Sequence, residues 1–276
     1  MYRGRLEALY GVWDFIKTSD ADYVVLSDCD VVANVDFSPI VDSHIASGAD
    51  ITAVYANDVV TVEQAQKATV FGINDEGRVV DVLTNPYISG ACNVSLNMFV
   101  LSKEFLKNLV LEANSRGLVS FEKDILQART HDYKIMAYRF DGYFSKITSM
   151  DTFYKANMNL LNTANRNKLF IANRPIYTKV RDNPPAKFGI GAKVKNSLIG
   201  DGCIIEGTVE NCVLFRGVKV GKGAVVKNCI LMQDTHVGAK CEVSCVISDK
   251  NVKIGDMRML TGSENYPLYL GKGAEI

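Results

Sequence analysis

The residues best placed for chemistry are few. Tyr23-Val24-Val25-Leu26 is a short apolar run that ends in Ser27-Asp28-Cys29-Asp30. A carboxylate at the C-terminal end of a strand, such as Asp30, either binds a metal or caps the next turn. Lys146, in Gly142-Tyr143-Phe144-Ser145-Lys146, offers an ammonium with three donors. That suits a phosphate as well as an ordinary surface ion pair. His236 stands just before Val237-Gly238, as a candidate base for acyl transfer or as a plain surface histidine. The seven cysteines are an odd number without metal-ligand spacing. Cys212, Cys229 and Cys245 recur at one point of a repeat, and Cys203 and Cys241 at another shared with Ala224. They read as small buried apolar groups rather than zinc ligands or disulfides.

These residues need elements to hold them. Leu6, Leu9, Tyr10, Trp13 and Ile16 form one helical face, and Tyr23–Leu26 and Ile51–Tyr55 are strands. Asn74-Asp75-Glu76-Gly77 turns the chain between two extended pieces. Val94–Leu101 is a long strand, Ser102 caps the following helix, and Phe121–Ala128 and Met150–Leu161 are further helices. Alternation of this kind predicts a three-layer α/β domain with a mostly parallel sheet. The last third repeats at a period of about 17 residues, in Ile199-Gly200, Val220-Gly221, Val237-Gly238 and Ile254-Gly255. Such a period specifies a stacked β-helix, in which no single repeat buries its own apolar face. Its Gly-x-Gly triplets, at Gly189, Gly200 and Gly221, are turns and not a phosphate cradle. The organisation expected is an α/β domain over 1–161, a linker over 162–187 with Pro175, Pro184 and Pro185, and a β-helix with a terminal cap over 188–276.

Composition narrows the function. Formal net charge is zero, which argues against nucleic acid as a partner. No stretch has the length and apolarity of a membrane span, so a cytoplasmic location is expected.

Several segments resemble one family. Tyr2-Arg3-Gly4, Tyr23 to Ser27 with Asp30 and Asp36-Phe37, Phe71-Gly72, Ser95, Phe121-Glu122-Lys123-Asp124-Ile125, and Gly142-Tyr143 followed by Ser149–Leu161 resemble the core of sugar-phosphate nucleotidyltransferases. With the β-helix behind it, the whole chain is similar to the glucose-1-phosphate adenylyltransferase (ADP-glucose pyrophosphorylase) family. Tyr154–Leu161 and Gly217–Asn228 carry the likeness most specifically. The resemblance implies an incomplete Rossmann-like domain followed by a left-handed parallel β-helix of hexapeptide type. The glycine-rich nucleotide loop that the family places near its start is absent from this sequence, and a truncated first domain is expected.

The resemblance also implies a reaction in which Mg²⁺, held by two acids, neutralises the transferring phosphoryl group. Asp30 stands at the first acid position, or Asp28 if the alignment is gapped. The second is Lys146, whose ammonium repels Mg²⁺. Thr84-Asn85, before Pro86, replaces a Glu-Lys pair of the sugar-phosphate site. Gly72 and Ser95 match substrate-binding positions, and Asn97 replaces a glycine. Lys123-Asp124 matches a family pair, although an ion pair at a helix start accounts for it more simply. Three losses in different parts of the site imply a regulatory or scaffolding subunit of the GlgD type in glycogen biosynthesis, catalytically weak or inactive alone. Such a chain has no cofactor of its own, whereas an active relative takes Mg²⁺. Its implied partners are a catalytic ADP-glucose pyrophosphorylase subunit or further copies of itself, in a tetramer. A sugar-phosphate effector is implied, with Lys146 as its phosphate contact. The alternatives are an active nucleotidyltransferase with an altered site and a hexapeptide-repeat acyltransferase.

Overall fold

The chain alternates helix and strand up to residue 169 and winds into coils from residue 187, as its periodicities require. The computed structural model describes residues 2–276. They form two compact units, one of residues up to Val31 with Val35–Gly142, the other of Val32–Asn34 with Tyr143–Ile276.

The first unit contains the helices α1 (Arg5–Gly11) and α2 (Trp13–Thr18), then strand β1 (Tyr23–Ser27). Strand β2 (Val31–Ala33) begins at its edge and helix α3 (Ser38–Ser47) follows. Next come β3 (Ile51–Val60), α4 (Val62–Ala65), β4 (Thr69–Ile73), β5 (Val79–Thr84), β6 (Gly90–Ser102) and α5 (Lys103–Arg116). A π-helical segment (Phe121–Gln127) and β7 (Ile135–Arg139) complete the unit. The sheet runs β5-β4-β6-β3-β7, with β1 also on β6. It is mixed. β6 pairs antiparallel with β1, β3 and β4, while β3 and β7 are parallel. Four strands, β1, β3, β4 and β7, therefore point one way, and β6 and β5 point against them.

Strand β6 is central because its apolar run suits burial on both faces. Leu96, Phe99, Val100 and Leu101 are all fully buried. Phe99 packs on Phe121 at 4.9 Å between ring centroids. Helix α5 begins where the Ser102 hydroxyl accepts from the Phe105 amide, and ends at Gly117, whose φ of 68° is the left-handed stop that favours glycine. In the turn between β4 and β5, the Asn74 side-chain oxygen accepts from the amides of Glu76 and Arg78.

In the second unit β2 pairs with β8 (Phe144–Lys146). Helices α6 (Met150–Asn159) and α7 (Thr163–Leu169) follow, and then the solenoid. The sequence reading gave α6 to the end of the first domain. It packs instead on the coils, with Tyr154 against Ile230 and Ile247. The Tyr154 hydroxyl donates to the Asn228 carbonyl at 2.8 Å. The coils build three parallel five-stranded sheets. Val209, Val226 and Val243 stack inside one, and Ile205, Val220, Val237 and Ile254 inside another.

Strand register corrects two cysteine placements. Ile230 faces Ile247, so Cys229 lies over Val246, and Cys245 takes the corner below Asn228 at φ 52°. Ile204 faces Lys219 and Thr208 faces Val225. Cys203 therefore stacks on Val218, while Ala224 stacks on Cys241. Cys245 follows Cys229 by 16 residues where that coil advances 17, and Cys203 precedes a strand of a different sheet from the one that Ala224 and Cys241 precede. All five solenoid thiols are buried and free. The terminal segment is a further coil more than a lid. Leu268–Leu270 adds a strand to one sheet, and the amides of Lys253 and Gly255 donate to Ala274 and Ile276.

Candidate functional site

Strand β1 lies along β6 with Ser27 opposite Met98. That pairing brings Asp28, just past the strand end, beside Asn97. The Asn97 backbone has a φ of 54°, a left-handed conformation that asparagine tolerates better than most residues. Its side-chain amide donates to Asp28 Oδ2 at 2.9 Å, and its backbone amide donates to Ser95 Oγ at 3.1 Å. The other oxygen of Asp28 meets a guanidinium. Arg5 Nη2 is 2.6 Å from Asp28 Oδ1 and 3.1 Å from Glu122 Oε1.

The Arg5 side chain is only 15% exposed. Its guanidinium lies 5.2 Å from the ring centre of Phe99 and 5.5 Å from that of Phe121. Two carboxylates and two ring faces thus surround one cation, an arrangement in which the charge is both paired and stacked. Two polar atoms of this cluster, Arg5 Nη1 and Asn97 Oδ1, are buried without a hydrogen-bond partner.

Arg5 reaches this place because α1 starts beside the loop before the π-helix. The Leu6 amide donates to the Val119 carbonyl. A Cβ on Gly4 would stand 2.4 Å from that same carbonyl oxygen, so only glycine allows the approach. Asp124 holds the loop from its other side, with Oδ2 accepting from the amides of Val119 and Ser120 at 2.8 and 2.9 Å. Lys123 is exposed. The Lys123-Asp124 pair is thus a backbone cap and an exposed lysine, not an ion pair.

The other sequence candidates are placed as follows. Ser95 is fully buried, with its oxygen facing the Asn97 amide. Gly72 pairs with Asp81 at a bulge, where a Cβ would lie 2.9 Å from Asp81 Cβ. The cross-strand neighbour accounts for that glycine without any ligand. Thr84 Oγ1 bonds Gln127 Oε1 at 3.1 Å. Asn85 adopts φ 55° and donates its amide to the Ala68 carbonyl. Asp30 is half-buried just beyond Asp28. Lys146 is half-buried on β8 of the second unit. His236 is exposed in a row between Lys219 and Lys253 of neighbouring coils.

The donor set around Asp28 does not fit Mg²⁺. Both carboxylate oxygens are engaged, one by a guanidinium that already supplies the positive charge. Sequence reasoning missed Arg5 as the centre of this cluster. Its partners lie 23 and 117 residues away, and no local spacing signals such a contact.

Two known families match the chain. Residues 1–163 match the nucleotidyl transferase family. The chain belongs to that family. Residues 184–264 match the GlmU-like C-terminal hexapeptide family, in line with the solenoid. Among individual relatives of this nucleotidyl transferase chain, the glycogen biosynthesis protein GlgD of Bacillus subtilis (strain 168) is 34% identical over 260 residues, covering 94% of this chain and 65% of the relative. The glucose-1-phosphate adenylyltransferase of Geobacillus stearothermophilus is 32% identical over 229 residues, covering 82% of this chain and 59% of its own. That of Thermotoga maritima is 32% identical, covering 82% and 54%. The resemblance read from the sequence is confirmed, and the chain spans somewhat over half the length of these relatives. No helix among the described residues is long and apolar enough to cross a membrane.

Proposed function

We propose that this chain is a non-catalytic regulatory or scaffolding subunit for glucose-1-phosphate adenylyltransferase in cytoplasmic glycogen biosynthesis. The likeness to GlgD and to adenylyltransferases supports the pathway. The observation that carries the non-catalytic reading is the Arg5–Asp28–Asn97 cluster. It fills the end of β1 with an internal cation and a crossing amide. Catalysis of this kind needs preorganised groups aimed at charge that develops on the phosphoryl oxygens. Asp28, the first acid position if the alignment is gapped, is committed to neighbours of its own chain. Lys146 and Thr84-Asn85, at positions where the family resemblance implies acids and a Glu-Lys pair, support the same reading. The partner proposed is a catalytic adenylyltransferase subunit.

The test mixes the full chain with an active homologous adenylyltransferase. The expected result is co-elution on size exclusion and a change in the partner's apparent affinity for ATP, glucose 1-phosphate or an effector. Separate elution with unaltered kinetics contradicts the proposal.

A further inference from the structure

The second unit contains a groove of about 530 Å³ between α6 and one corner of the solenoid, within the range of small-ligand sites. Six asparagines line it: Asn159, Asn162, Asn196, Asn211, Asn228 and Asn265. Its two charged residues, Lys155 and Glu264, are of opposite sign. The Lys155 ammonium is already paired with Asp151 at 3.0 Å.

Corner geometry alone does not demand this lining. Asn196, Asn211 and Asn228 all have positive φ, at 43°, 51° and 52°. The other corners of the same coils meet that requirement with varied residues: Gly202, Gly217, Asp234 and Asn251 along one, Gly223, Lys240 and Met257 along another. Only the corner facing the groove repeats asparagine over three successive coils. A purely structural amide ladder accounts for part of the row. Asn196 donates to the Asn211 side-chain oxygen at 2.8 Å, but the Asn228 side chain has no protein partner among the described residues. The Tyr154 hydroxyl, bonded to the Asn228 carbonyl, fixes α6 against the row and so preforms the groove. Burial pushes the Tyr154 phenol well above its usual range, which keeps it protonated as a donor.

We infer that this groove is a binding site for a neutral polyhydroxylated ligand, a hexose or short oligosaccharide. A primary amide presents one donor and one acceptor side by side, which matches the neighbouring hydroxyls of a sugar. Parallel coils repeat that pair at about 4.8 Å, and Met158 and Leu161 in the lining supply apolar contact for C–H faces. An anionic ligand is disfavoured, since the lone ammonium is paired and Glu264 opposes it. The inference stands apart from whether the chain is catalytic.

The test is calorimetric titration of the full chain with glucose, maltose and glucose 1-phosphate, with Asn211→Gly and Asn228→Gly as variants. Glycine keeps the positive φ, and thermal unfolding checks that each variant folds. Saturable millimolar binding of glucose or maltose, weakened at least about tenfold in either variant, supports the site. Three results overturn it: no saturable sugar binding, sugar binding unchanged in both folded variants, or glucose 1-phosphate binding more tightly than both neutral sugars.

Discussion

The end of strand β1 and the solenoid corner beside α6 show two ways for a polar cluster to arise. In the solenoid, position in the coil dictates the residue: Val209, Val226 and Val243 stack in register, and Asn196, Asn211 and Asn228 follow one another at a corner. At β1 nothing repeats. Arg5, Asp28, Asn97 and Glu122 come from four separate segments, and each oxygen of Asp28 is held by a different one. A repeat makes the loss of one group a local defect. A cluster drawn from distant segments makes each member depend on the others, so its energetics are coupled where the solenoid's are nearly additive.

The largest effect expected lies in the stacked core. Leu231 is fully buried between Leu214 and Ser248 of adjacent coils. Leu231→Ala should cost about 2–5 kcal/mol, read as a lower denaturant midpoint. A loss below about 1 kcal/mol would show that the coils collapse onto cavities, contrary to close packing. Next in size is Arg5→Ala, expected to cost about 2 kcal/mol by leaving two carboxylates unpaired. The figure is reduced because the Asp28 side chain is 36% exposed and solvent screens it. A double-mutant cycle with Asp28→Asn should show coupling, whereas additivity would make the cluster incidental. Tyr154→Phe comes third, at about 1 kcal/mol for the lost bond to Asn228.

The smallest effect is a pH dependence. His44 is buried, with Nδ1 2.8 Å from Thr52 Oγ1. Burial holds its pKa below the ordinary histidine value, against a weaker opposing pull from Asp50. The unfolded chain then binds the proton first, so stability falls as pH drops below the ordinary value and levels off beneath the lowered one. His44→Gln should flatten that part of the stability–pH curve. An unchanged slope would assign it to other groups.

Much of the fold was legible because its signals are local or periodic. The apolar run of β6, the Ser102 cap and the Asn74–Gly77 turn each announce themselves within a few residues. The coil repeat was legible too, but its register was not. A 16-residue spacing from Cys229 within a 17-residue coil puts Cys245 on the asparagine corner. The candidate site was legible only as substitutions at separate positions. Asn97 was read as the replacement of a glycine, but its backbone conformation and its bond to Asp28 needed the tertiary structure. Arg5 was invisible for the same reason, since a charge at a helix start carries no mark of two acids far away in sequence.

The most direct measurement is Mg²⁺-dependent ADP-glucose formation from ATP and glucose 1-phosphate by the full chain alone. The account predicts no turnover above background, because an internal guanidinium and a crossing amide already hold Asp28. Sustained Mg²⁺-dependent turnover by the purified chain would contradict it.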